Sequence, residues 1–167
     1  MGRKMKLFKE FCKDTIFTYE WSEFCERTPD KLLKEGSLWD WMYKKNNAVF
    51  YRGQASSGKG MGIGMLGLGV YLTWSESMAQ SFAKKQTKGV VQTFKVKRGL
   101  KMADNAGKDF ATAMANLGRK PWEWSHSKEF SGFLTGELKG MGYDGAYSDN
   151  PAEGVVVYDK KNVKLVK

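Results

Sequence analysis

Residues Gly53–Gly60 give the first spacing that could do chemistry, because they match a loop that holds phosphate groups. The run GQASSGKG follows a predicted strand and has the pattern GxxxxGK, in which backbone amides and a lysine surround the phosphates of a nucleotide. Such a loop continues with Ser or Thr, which holds Mg²⁺, and it opens a helix whose N-terminus faces the phosphate. Gly60 stands at the hydroxyl position, and the following MGIGM does not favour a helix. The sequence therefore argues against a nucleoside triphosphatase.

A second set of residues lies on or beside three predicted strands that are distant in the chain. In order, the set offers a cation, an aromatic ring with two hydroxyl groups after it, and a carboxylate: Arg52, Tyr71, Thr73, Ser75 and Glu153. The first strand is AVFYR. The second is entered through GLGVYLTWS and leads into a helix that contains alanines, and the carboxylate stands in PAEGVVVY, after a GYDG turn.

This ordered set resembles the ADP-ribosyltransferase superfamily over about residues 48–167, whereas residues 1–45 fall outside the resemblance. That family has a basic residue or a histidine on its first strand and the pattern G-x-G-x-Y-x-[TSA] on its second. An alanine-rich helix, a GYDG turn and a catalytic glutamate that opens a late strand follow. The resemblance implies an α+β fold with a split, mostly antiparallel β-core and flanking helices. We expect a single domain, with an N-terminal helical cap at 1–45 and a catalytic core at 46–167.

The same resemblance implies that NAD⁺ is consumed as a substrate and that no metal is needed. Glu153 takes the part of the catalytic glutamate, Arg52 holds the diphosphate or the adenosine ribose, and Tyr71 stacks on nicotinamide. The residues implied to contact NAD⁺ are Arg52, Gly53, Gln54, Gly69, Tyr71, Thr73 and Ser75. The chain combines the arginine of the family's Arg-Ser-Glu branch with the tyrosine of its His-Tyr-Glu branch. Thr73 or Ser75 could take the place of the serines of the Arg-Ser-Glu branch.

The loop before Glu153 is implied to order the acceptor, through Asp149, Asn150 and Pro151. Arginine-modifying relatives carry a second glutamate two residues before the catalytic one, and Pro151 takes that place here. Asp149 is the carboxylate that could substitute for it. The implied function is mono-ADP-ribosyl transfer to a macromolecule, a protein or a nucleic acid, as in a toxin, an effector or a phage-encoded modifier of its host.

Local patterns predict the elements that must position these residues. Residues 48–52 and 70–73 are rich in β-formers, and residues 89–97 alternate apolar and polar side chains as a half-buried strand does. Ser75 predicts the start of a helix that runs to about Lys85. Further helices are predicted at 105–117 and 127–140, and further strands at 143–147, 153–158 and 162–166. Seven of the 19 glycines fall within 53–69, which predicts a long mobile loop.

The charge of the chain is uneven. It has 28 Lys and Arg against 18 Asp and Glu, a net charge of +10, and residues 46–100 hold eight basic residues with the single acid Glu76. This balance favours an anionic substrate or partner near Arg52, although a solvated, lysine-rich face is the alternative. The diphosphate of NAD⁺ accounts for part of the charge, and we expect the remainder to meet an acidic protein or a nucleic acid.

The counts of cysteine and histidine exclude several kinds of site. Cys12 and Cys25 form neither a CxxC pair nor a disulfide framework, and the single histidine, His126, excludes a metal site of several histidines. No apolar run approaches the roughly 20 residues that span a bilayer, and the first residues do not form a signal peptide. We therefore expect a cytoplasmic monomer that does not bind a membrane.

Two other functions stay open. One is a non-catalytic module that uses the same fold to hold a nucleic acid or an acidic protein. The other is an RNA-directed enzyme of the related 2′-phosphotransferase type, which also uses NAD⁺. That type relies on several arginines and histidines, and a chain with one histidine fits it poorly.

Overall fold

Residues 38–54, 61–118 and 127–166 are described by the structure, a computed structural model of the chain. Contacts between Cα atoms divide the chain into two units, Met1–Trp41 and Met42–Lys167, and most of the described residues belong to the second. Several predicted features lie outside the described residues. They are most of the helical cap, residues 55–60 of the GQASSGKG run, and His126. The division into domains stays a prediction.

Four α-helices, seven strands and one short 3₁₀ turn make up the described part of the chain. In chain order they are α1 (Leu38–Lys45), β1 (Val49–Gln54), β2 (Val70–Leu72), α2 (Glu76–Lys84), β3 (Val90–Val96), β4 (Met102–Asp104), α3 (Lys108–Asn116), α4 (Lys128–Gly140), β5 (Gly145–Tyr147), β6 (Val155–Val157), the 3₁₀ turn (Lys160–Asn162) and β7 (Val163–Leu165). The predicted α+β class is confirmed.

The strands form two sheets that meet at one backbone bridge. The first sheet has the order β1-β3-β7 and is antiparallel, and the second has the order β2-β6-β5-β4, in which the β4–β5 pair is parallel. Between the sheets, the backbone N–H groups of Tyr51 and Thr73 each donate to the other residue's carbonyl at 2.8 Å. The end of β1 therefore lies beside the end of β2.

Helices cover the two sheets separately. Helix α2 packs on β1 and β3, whose paired Phe50 and Phe94 are fully buried. The second sheet packs on α3 and α4, and the apolar cluster between them includes Phe110, Phe130 and Val156. The predicted start of α2 is confirmed, because the Ser75 hydroxyl accepts a hydrogen bond from the backbone N–H of Met78 at 3.2 Å.

Strand β1 was predicted to stop at Arg52, but it continues through Gly53 to Gln54. Here the glycine serves close packing instead of a turn, since a Cβ on Gly53 would overlap the carbonyl oxygen of Ala79 in α2. Other boundaries also differ from the predictions: α3 begins at Lys108 instead of residue 105, β5 at Gly145 instead of residue 143, and β6 at Val155 instead of residue 153. Strand β4 was not predicted, because three residues are too few to show a period.

The described part of the glycine-rich loop, residues 61–69, is held by hydrogen bonds, whereas the glycine count predicted a mobile segment. Gly62 and Gly69 pair through two backbone hydrogen bonds of 2.7 and 3.1 Å. The hydroxyl of Ser131 in α4 accepts from the N–H of Gly64 and donates to its carbonyl, both at 3.1 Å. Thr135, one turn further along α4, makes the same two contacts with Leu68. Side chains of a neighbouring helix thus supply the order that glycine itself does not.

Gly154 forms the turn that connects Glu153 to strand β6. Its φ is +67°, a left-handed conformation that strains residues with a Cβ. A Cβ at this position would also overlap the carbonyl oxygen of Leu72, the last residue of the neighbouring strand β2. Glycine therefore meets two requirements at this turn, one of conformation and one of space.

A comparison of two glycine-to-alanine variants separates the requirement of conformation from that of space. We expect Gly154→Ala to lower the free energy of unfolding by about 3 kcal/mol, from left-handed strain together with overpacking. Gly118→Ala is the matched control, because Gly118 has a φ of +65° and no atom of the described residues lies within 4 Å of its added Cβ. It should cost roughly 1 kcal/mol. Urea unfolding of both variants measures the difference, and equal losses would contradict the close approach at Leu72.

Candidate functional site

A cleft of about 370 Å³ opens beside the bridge between the two sheets. Its walls come from the end of β1, from β2 with Thr73, and from the turn before β6. Residues of the predicted site that line it are Arg52, Gly53, Gln54, Tyr71, Thr73, Pro151 and Glu153. The fold therefore brings together a cation, an aromatic ring and a carboxylate that are distant in the sequence.

The other predicted residues lie outside the lining of this cleft. Ser75 is buried, where it caps helix α2 and contacts the Ser77 hydroxyl at 2.9 Å. Gly69 packs against β6, where a Cβ would lie 3.0 Å from the carbonyl carbon of Val157. Asp149 and Asn150 belong to the loop between β5 and β6. In this structure Ser75 therefore caps a helix, and Gly69 allows two strands to lie close together.

Arg52 supplies the positive charge of the cleft. It stands on β1 opposite Gln92 of β3, and burial lowers the pKa of its guanidinium. An arginine keeps its charge at neutral pH even so, and its planar group can form two parallel hydrogen bonds to a phosphate. Among the described basic residues of 46–100, Arg52 alone lines the cleft, since Lys84, Lys85, Lys88, Lys95, Lys97 and Arg98 are exposed elsewhere.

Tyr71 lines the cleft and uses its hydroxyl to hold the loop. The hydroxyl donates to the carbonyl of Gly67 at 2.7 Å and accepts from the N–H of Leu66 at 3.3 Å. Gly62 and Gly64 lie against the ring, where a Cβ would come within 3.0 and 2.7 Å of tyrosine atoms. Burial, with a smaller effect of the nearby Glu153 charge, raises the pKa of this phenol well above its usual range. The hydroxyl therefore stays protonated, and the ring is the part that can contact a ligand.

Thr73 ties the end of β2 to the loop that carries Glu153. Its buried hydroxyl donates to the carbonyl of Pro151 at 3.2 Å and accepts from the N–H of Ser75 at 3.2 Å. Because the backbone of Thr73 also pairs with Tyr51, one residue connects both sheets and this loop. The direct contact of Thr73 with NAD⁺ remains a prediction. In this structure the Thr73 hydroxyl has two hydrogen-bond partners within the protein.

Glu153 projects from a tight turn whose hydrogen bonds fix its position. The carbonyl of Asn150 accepts from the N–H groups of Glu153 at 3.1 Å and Gly154 at 2.8 Å. The Asn150 side chain accepts from the N–H of Ala152 at 2.9 Å, as in an Asx turn. Pro151 is buried within this turn, and the glutamate itself is exposed. An exposed carboxylate on a fixed turn is available to a ligand in the cleft.

Asn105 is a contact of Glu153 that the sequence analysis missed. Its side-chain amide donates to the Glu153 carboxylate at 3.3 Å and to the Ser148 hydroxyl at 3.1 Å. Its backbone N–H donates to the carbonyl of Tyr147 at 3.0 Å, which fixes it at the end of the parallel strands β4 and β5. The sequence placed residue 105 at the start of a helix, so no local signal connected it with the late glutamate. Two further lining residues without a sequence signal are Ile63 and Phe82.

Asp149 is a half-buried carboxyl in the loop that ends at Glu153. Burial raises its pKa, and the negative charges of Asp104 and Glu153 raise it further. These carboxyls are not grouped as metal ligands, since no cluster of three His, Cys, Asp or Glu side chains within residues 38–54, 61–118 and 127–166 could hold an ion. Asp149 is thus a carboxyl that is partly shielded from water and lies near two other negative charges.

Comparisons of this chain with protein-family models, with curated proteins and with solved structures give no match. Within the described segments, no helix combines the length and the apolar character needed to cross a membrane. The assignment of a function therefore depends on the geometry of the cleft and on the order of its residues in the sequence.

The raised pKa of Asp149 leads to a pH-dependent prediction. A carboxyl whose pKa is higher in the folded state weakens the fold once it ionises, so its cost is present at neutral pH. Asp149→Asn should therefore raise the free energy of unfolding at pH 7. The gain should shrink as the pH falls through the raised pKa and disappear below about pH 4, where the unfolded chain is protonated too. Urea unfolding at pH 7 and pH 3.5 tests this, and an equal gain at both values would contradict it.

Proposed function

We propose that this chain is an NAD⁺-dependent mono-ADP-ribosyltransferase, with a fold of the ADP-ribosyltransferase type, that modifies a macromolecule. The observation that carries the proposal is the meeting of Arg52, Tyr71 and Glu153 in one cleft. These residues come from three segments whose sequence order resembles that family. Two sheets joined beside the cleft are compatible with the split β-core that the resemblance implies.

The proposed reaction needs a carboxylate beside the nicotinamide ribose, and Glu153 is the described carboxylate that lines the cleft. The bond between C1′ of the ribose and the nicotinamide nitrogen breaks, its electron pair leaves with neutral nicotinamide, and positive charge develops on the ribose. A fixed negative charge stabilises that charge in the transition state, and a carboxylate can also accept a hydrogen bond from a ribose hydroxyl. An acceptor atom then bonds to C1′ through its lone pair and loses a proton. Asn105 supports this role because it donates to the same carboxylate.

Binding of the dinucleotide is assigned to the β1 side of the cleft. Arg52 offers a planar cation to the diphosphate, and Gly53 next to it offers backbone groups to the nicotinamide amide. Tyr71 and the apolar Ile63 and Phe82 form surfaces on which rings can stack. The described lining residues of the cleft thus provide one cation for two phosphates and apolar walls for two ring systems.

Removal of the Glu153 charge is the direct test. We expect Glu153→Gln to lower the rate of nicotinamide release at least about 100-fold, since a neutral amide does not stabilise the developing positive charge. The affinity for NAD⁺, measured by calorimetry, and the thermal unfolding should stay close to those of the wild type. Glu129→Gln, at an exposed glutamate in the first turn of α4, is the matched control and should retain full activity. Unchanged turnover in Glu153→Gln would overturn the assignment.

Arg52→Lys tests the binding side of the cleft. The substitution keeps the charge but removes the planar group that forms two parallel hydrogen bonds, so the Kd for NAD⁺ should rise about tenfold. Arg98→Lys is the control, because Arg98 is exposed and does not line the cleft. An equal Kd for both variants would exclude Arg52 from the contact with NAD⁺, and no saturable binding by the wild type would favour a module that does not use NAD⁺.

A further inference from the structure

A second cavity, of about 280 Å³, opens on another side of Glu153. Its lining consists of Met65, Leu66, Asn105, Phe110, Ala111, Met114 and Glu153. Of these, Glu153 alone also lines the cleft that contains Arg52 and Tyr71. The candidate catalytic carboxylate is therefore a shared wall between two spaces, and a transfer reaction needs two such spaces, one for the donor and one for the acceptor.

The apolar wall of this second cavity is built by two fixed segments. Helix α3 contributes Phe110, Ala111 and Met114. Met114 lies three residues after Ala111 and four after Phe110, so its side chain is a neighbour of both on the helix surface. The loop contributes Met65 and Leu66, and Leu66 is held by hydrogen bonds from its N–H to Tyr71 and from the hydroxyl of Tyr158 to its carbonyl. The wall is thus a defined surface that favours the aliphatic part of a ligand.

The described lining of the second cavity has a negative charge, although the chain as a whole has a net charge of +10. No Lys or Arg of the described residues lines it, and its single charged lining residue is Glu153. Asp149, whose carboxyl is acted on by the charges of both Glu153 and Asp104, adds to the negative potential. Such a site repels a phosphate backbone and attracts a positively charged group.

We propose that the second cavity receives the acceptor, a protein side chain that ends in a cationic nitrogen on an apolar stem. This inference rests on the proposed transfer reaction and names its acceptor class. The stem lies against Met65, Phe110 and Met114, and the nitrogen meets the Glu153 carboxylate. There the nitrogen gives a proton to water, and its lone pair forms the bond to C1′ once the bond to nicotinamide has broken, so that the Glu153 carboxylate keeps its negative charge throughout. The expected anionic macromolecule does not suit this cavity, because none of the described lysines of 46–100 lines it.

The ligand class is tested without NAD⁺ and without knowledge of the natural acceptor. The probe is n-butylammonium, which has an apolar stem and a cationic nitrogen, and the controls are butyrate, with a similar stem and the opposite charge, and an RNA tetranucleotide. With methyl-labelled methionine, the NMR signals of Met65 and Met114 should shift saturably with n-butylammonium and with neither control. Saturable shifts with butyrate or RNA, or none with n-butylammonium, would overturn the proposal.

Two matched variants place the probe in the cavity. Ala111→Phe fills the cavity, and we expect it to raise the Kd for n-butylammonium at least about tenfold. Ala115→Phe carries the same change one turn along α3, at an exposed residue that does not line the cavity, and should bind as the wild type does. Equal affinities of the two variants would overturn the location. If n-butylammonium binds as expected but the wild type releases no nicotinamide from NAD⁺, the proposed function fails and the ligand class of the cavity stands.

Discussion

Two backbone hydrogen bonds, each 2.8 Å long, join Tyr51 to Thr73, and the geometry of the candidate site depends on this bridge. It sets the end of one sheet against the end of the other, so Arg52 and Thr73 come to line the same cleft. The Thr73 hydroxyl then carries the link onward to the Pro151 carbonyl and hence to the turn of Glu153. A side-chain substitution cannot remove the backbone bridge directly, which makes the bridge a stable frame for the residues of the cleft.

Close approach of backbones is the second constraint, and glycine meets it in places where the sequence suggested freedom. Gly53 lets helix α2 lie against β1, and Gly154 lets the glutamate turn lie against the end of β2. The alternation of glycine with Met61, Ile63 and Met65 has a further effect. Gly62 and Gly64 face the ring of Tyr71, so the intervening apolar side chains are exposed. One short segment therefore supplies Ile63 to the first cleft and Met65 to the second cavity.

The sequence predicted the α+β class, the positions of β1, β2, α2 and the valine strand β6, and the cap at Ser75, because local patterns determine these features. It did not predict strand β4, the contact of Asn105 with Glu153, or the second cavity. These arise from pairing of β4 with β5 and from packing of α3, which join segments 43 to 48 residues apart. The anchoring of the glycine loop was missed for the same reason, since Ser131 and Thr135 look like ordinary helix residues until the loop lies on them.

The net charge of the chain favours an anionic acceptor, whereas the carboxylates beside the cavities favour a cationic one. The distances over which these charges act decide between the two expectations. The excess of lysine is spread over exposed positions such as Lys84 and Lys95, where water and salt screen it within about 10 Å. Glu153 acts directly on whatever enters either cavity, and the half-buried Asp149 acts through a less polar medium. The basic surface can increase the rate of encounter with an acidic region of a partner, whereas in the proposed transfer the acceptor residue must suit the carboxylate. A protein that has an acidic region near a cationic side chain satisfies both conditions, and a nucleic acid satisfies only the first.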